Sequence, residues 1–93
     1  MEASTCENNW KERGFSFKIG KITLEKGVDE ARHEDLDELV LALNGKLEFT
    51  IDDKIFVAEE NKEVLIPAKA IHSIRNVGAD TSTIYFGYKK VAL

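Results

Sequence analysis

A chain of 93 residues has apolar surface enough for one small core and not for two. Its 17 acidic and 13 basic side chains leave a net charge of −4, and no Lys or Arg run is long enough to follow a phosphate backbone, so nucleic-acid binding is not expected. No apolar run nears the roughly 18 residues of a membrane span, and the N-terminus lacks the apolar centre of a secretory signal. One cysteine, Cys6, allows no internal disulfide, so a cytoplasmic protein is expected. The thin core favours self-association, and a homodimer is expected.

Residues 1–14 read as an N-terminal arm, polar and frayed over Glu2 to Asn9, with one weak helical turn at most between Glu7 and Arg13. Cys6 has no basic neighbour to activate it and receives no catalytic role. Trp10 is expected to pack over the end of the domain or at a dimer contact.

Residues 15–93 read as one β-domain. Phe15, Phe17 and Ile19 share one parity and Ile22 and Leu24 the other, which predicts a bulge or bend at Gly20. Lys26-Gly27 opens a polar connection from Val28 to Asp37. Leu39 to Leu43 is apolar on both parities, as in a strand buried on two faces. Asn44-Gly45 turns the chain, and Leu47, Phe49 and Ile51 then occupy one face of the next strand. Asp52-Asp53 is a second turn, with Ile55 to Val57 returning. Glu59 to Lys62 is a polar corner, and Val64 to Ile66 a buried run stopped by Pro67. Ile71 to Val77 alternates, and Thr83 to Tyr88 forms the last strand. About eight strands with turns every ten or so residues predict an antiparallel sandwich or barrel.

Pro67, His72 and Asn76 stand in the register P-x-x-x-x-H-x-x-x-N, while six residues separate Glu38 from Gly45 and four separate it from His33. Imidazoles and a carboxylate on separate strands are the donors a small barrel would use for a divalent metal. The plainer readings are a buried His72 bonded to a backbone carbonyl, an exposed Glu38 at a strand start, and His33 in a solvated acidic loop. Glu38 shares the parity of Val40 and Ala42, small residues suited to a lumen, and a buried carboxylate needs a partner.

From about Gly27 to Asn76 the chain resembles a small single-domain cupin. That family carries the motifs G-(x)5-H-x-H-(x)3,4-E-(x)6-G and G-(x)5-P-x-G-(x)2-H-(x)3-N. Pro67, His72 and Asn76 fit the second, with Asn61 and Lys69 at its two glycine positions. Glu38 and Gly45 fit the first. Its front half departs: with His33 as the second histidine the first is Ala31, and the other spacing puts Arg32 and Glu34 in those places.

The resemblance implies an all-β, double-stranded β-helix, a jelly-roll-like barrel that closes its sheet edges and can house one small ligand. It further implies a metal site of His33, Glu38 and His72, with Glu34 or Asp35 as an additional oxygen ligand and Asn76 and Tyr85 supporting the pocket. The metal would be Fe, Mn, Ni or Zn, and the partner a small molecule. Family members include enzymes and sensors, so the reaction stays open, and a metal-free ligand-binding or sensor protein is the alternative.

Overall fold

The computed structural model describes residues 2–24 and 28–91; the Lys26-Gly27 turn lies outside them. One helix, α1 (Ala3–Glu12), precedes eight strands: β1 (Lys18–Ile22), β2 (Val28–Ala31), β3 (Leu36–Ala42), β4 (Leu47–Ile51), β5 (Lys54–Ala58), β6 (Glu63–Ile66), β7 (His72–Asn76) and β8 (Ser82–Lys90). They form two four-stranded antiparallel sheets, in the orders β1-β8-β3-β6 and β2-β7-β4-β5. This is the expected all-β jelly roll.

The sheets face one another across a core that includes Val40, Leu47, Phe49, Ile66 and Ile74. Parity decides who enters it. On β3, Glu38, Val40 and Ala42 alternate with Leu39 and Leu41, and the two leucines belong to a second cluster on the outer face of the first sheet. Two buried faces explain why this strand is apolar on both parities.

Helix α1 covers that outer face. The frayed arm expected from composition is thus corrected to ten helical residues. An isolated helix of that length is marginal in water, and only Cys6 and Trp10 are buried on it, one turn apart on one side. They pack with Phe15, Leu39, Leu41 and Tyr85, and Trp10 is fully buried. Tertiary burial, not local propensity, makes this segment helical. The chain leaves α1 through Gly14, whose φ of +90° suits a residue without Cβ.

The bulge expected at Gly20 is absent: β1 pairs in unbroken register from Lys18↔Phe86 to Ile22↔Ser82. Both parities of the Phe15–Leu24 segment carry apolar residues because Phe15 and Phe17 pack under α1 while Ile22 enters the inter-sheet core.

Candidate metal centre

Three elements deliver the site. Glu38 comes from β3 in the first sheet, His72 is the first residue of β7 in the second, and His33 lies in the connection between β2 and β3. Glu38 and His72 are buried, and His33 is half-buried. Nε2 of His72 stands 3.5 Å and Nε2 of His33 3.6 Å from the same Glu38 oxygen, Oε1, and the imidazole centroids are 5.4 Å apart. One donor atom from each of the three lies within 4.8 Å of the others. Residues far apart in sequence thus meet where the two sheets face one another.

His72 Nδ1 makes a long contact of 3.4 Å with the Ala70 carbonyl. A proton on Nδ1 would leave the Nε2 lone pair directed at the site. Burial pushes the Glu38 carboxyl above the ordinary range, against the opposing pull of His72, His33 and a hydrogen bond from Tyr88. Burial and the neighbouring Glu38 raise the Tyr88 hydroxyl in turn. An acid held in apolar surroundings by two imidazoles and a phenol gains most when a cation arrives.

The group opens into a cavity of about 370 Å³, walled by Ile22, Ile74, Ile84 and Phe86 beside the polar cluster. That lies at the small end of the range for organic ligands.

The other sequence candidates fall elsewhere. Glu34 is exposed and paired with Arg32 at 3.0 Å, and Asp35 lies 3.9 Å from Lys90. Neither belongs to the three-residue group found among the described residues. Both sit in the same connection as His33, outside the strands. Asn76 is a strut: its Nδ2 donates to the carbonyls of Ile22 and Asp80, and its Oδ1 accepts from Gly78 N–H. Tyr85 is corrected outright. It packs in the outer cluster under α1 and does not line the cavity.

Tyr88 takes that place. It pairs directly with Glu38 across β3 and β8, lies on the parity of Ile84 and Phe86, lines the cavity and sets its ring edge-on to His33 at 5.3 Å. The alternation of β8 carried this signal, but with both faces apolar it did not say which one was the lumen.

Known proteins match this architecture. The profile of the cupin domain family fits residues 20–87. The chain belongs to the cupin domain family. A curated relative of this cupin is the alginate biosynthesis protein AlgA of Pseudomonas putida, 30% identical over 67 residues. The match takes in 70% of the cupin and 14% of that relative, so the chain spans only a small part of it. Among solved structures, the Cnp3 cupin domain of Schizosaccharomyces pombe superposes with a TM-score of 0.76 at 18% identity, covering 85% of this chain and 55% of that one. A predicted oxalate decarboxylase of Thermotoga maritima also gives 0.76 at 18% identity, covering 90% and 74%. At such identities the structural matches establish the fold.

Proposed function

We propose that this cupin binds one divalent metal through His33, Glu38 and His72, and that a small organic molecule reaches the metal's open positions from the apolar cavity. The observation that carries the reading is the convergence of two imidazoles and a carboxylate on one point of a buried wall. Two nitrogens and one oxygen form a borderline donor set that suits Fe, Mn, Ni or Zn. Three protein ligands leave room for substrate, as at metal sites that act on bound molecules.

When bound, the metal would polarise an oxygen of the ligand. The chain's own residues divide the remaining tasks. His72 and Glu38 hold the buried side, His33 closes the site toward the connection, Tyr88 fixes the free edge of Glu38, and the isoleucine and Phe86 wall excludes water from the ligand's body. Elemental analysis of the purified protein tests the reading. About one equivalent of metal should be present, and it should be lost in both His72→Ala and Glu38→Ala. Metal-free wild-type protein after growth in metal-supplemented medium would overturn it.

One observation favours a second reading, a metal-free ligand-binding or sensor protein. Ala31, which stands where the family's first histidine is expected, lines the cavity and pairs with His72 across β2 and β7. A ligand carrying its own hydrogen-bond donor could then satisfy Glu38 directly. Ligand binding that survives strong chelators would select this alternative.

Self-association belongs to either reading. Ile55 and Val57, 67% and 51% exposed on the edge strand β5, offer apolar surface to a second copy. Sedimentation of the wild type beside Ile55→Lys tests it, with a dimer expected only for the former.

A further inference from the structure

A single four-residue turn contacts the surroundings of all three candidate ligands. The Ala70 N–H donates to the Pro67 carbonyl at 3.2 Å and closes a turn over Pro67–Ala70. Its third residue, Lys69, holds a φ of 71°, a left-handed conformation that a side chain with a Cβ avoids. The Lys69 N–H donates to the His33 carbonyl at 2.7 Å. The Ala70 carbonyl faces Nδ1 of His72. At the start of the turn, Ala68 N–H donates to Oδ1 of Asp37 at 2.8 Å, and Asp37 is the residue before Glu38.

Turn chemistry explains why Lys69 stays left-handed. A positive φ at the third position goes with a flipped central peptide, here the one between Ala68 and Lys69. Relaxing Lys69 to the negative φ it prefers would turn that peptide over and carry its N–H away from His33. The peptide next to it is anchored by a side chain from another element, Asp37 of β3. Asp37 is not taken up by its cross-strand neighbour: Lys89, opposite it on β8, extends its ammonium to 5.9 Å from the Phe15 ring.

We propose that Asp37 is a positioning residue of the site: by holding Ala68 it locks the Pro67–Ala70 turn in its strained form, and that form holds His33 beside Glu38 and His72. The inference takes from the proposed function only the identity of the three ligands. Backbone strain concentrates at sites where the surroundings over-determine it, and here the determining contact is one carboxylate oxygen.

The test compares Asp37→Ala and Asp37→Asn with the wild type. Without metal, NMR reads the cross-ring contact between His33 and His72 and the exchange protection of the Lys69 amide. With metal, Co(II) titration reads affinity and the visible absorption of the bound ion. D37A is expected to lose the cross-ring contact and the protection and to bind Co(II) at least tenfold more weakly, while D37N, whose amide oxygen accepts the same bond, retains all three. A D37A protein unchanged in the NMR readouts overturns the inference, and so does a D37N protein as damaged as D37A. If the wild type takes up no Co(II), the metal reading falls while the metal-free comparison still decides the role of Asp37. Should D37A not fold, Asp37→Val, which suits a strand, is read in the same way.

Discussion

The Arg13 guanidinium grips the Glu63 carboxylate with two N–H···O bonds of 2.9 Å each, joining the end of α1 to the edge strand β6. Trp10 Nε1 adds a third bond to the same carboxylate at 3.1 Å. The pair is partly exposed, with side chains 44% and 33% accessible, so Arg13→Ala should cost only about 1 kcal/mol. Trp10→Ala, which empties a fully buried site, should cost about 3–5 kcal/mol. The hydrogen bond from Arg13 holds the Glu63 carboxyl below its ordinary value, so its contribution is present above the ordinary Glu range and lost as the pH falls through the lowered value. Urea titrations should show R13A and wild type converging toward low pH.

Gly87 is predicted to tolerate no side chain. A Cβ there would overlap the Ser16 carbonyl oxygen and press on the Trp10 ring. Gly87→Ala must push β8 and the chain entering β1 apart, a loss of about 1–3 kcal/mol. Thermal melts check this, and the expected signature is parallel loss of Trp10 burial in fluorescence. An unshifted melting temperature would contradict the close approach.

Glu38 sets an opposite pH dependence. Because its folded value is raised, its favourable contribution to the metal-free protein is full below the unfolded value of about 4.3 and is lost as the pH rises through the folded value. In chelator, wild-type stability relative to Glu38→Gln should therefore fall across that window. Metal binding needs the ionised carboxylate and neutral imidazoles, so metal should reverse the trend and leave the protein as the pH falls. Melting curves of both proteins with and without metal check both halves.

Tyr88 and Tyr85 separate the inner and outer faces of β8. Tyr88→Phe removes the hydroxyl that bonds Glu38, and partners of a ligand typically matter by about 10–100-fold in metal affinity. Tyr85→Phe should leave affinity unchanged, because Tyr85 packs under the helix. Parallel metal titrations decide; equal losses would mean the two faces are energetically coupled.

The amino-acid sequence by itself determined the strand rhythm, the turns at Asn44-Gly45 and Asp52-Asp53, the inward parity of Glu38, Val40 and Ala42, and the spacing that singles out His33, Glu38 and His72. These are properties of neighbours along the chain: alternation of period two, residues that accept a positive φ, and fixed separations within a motif. Helix α1 was not legible, since two buried side chains in ten residues carry little periodicity and the face that makes them helical lies on distant strands. The choice of Tyr88 over Tyr85, the exclusion of Glu34 and Asp35, and the bond from Asp37 to the Pro67–Ala70 turn were likewise decided only in three dimensions. Apart from Glu34, which is exposed and pairs with nearby Arg32, these depend on which side of a doubly buried sheet faces the lumen, or on contacts between segments about thirty or more residues apart, and that information exists only once the two sheets have closed on one another.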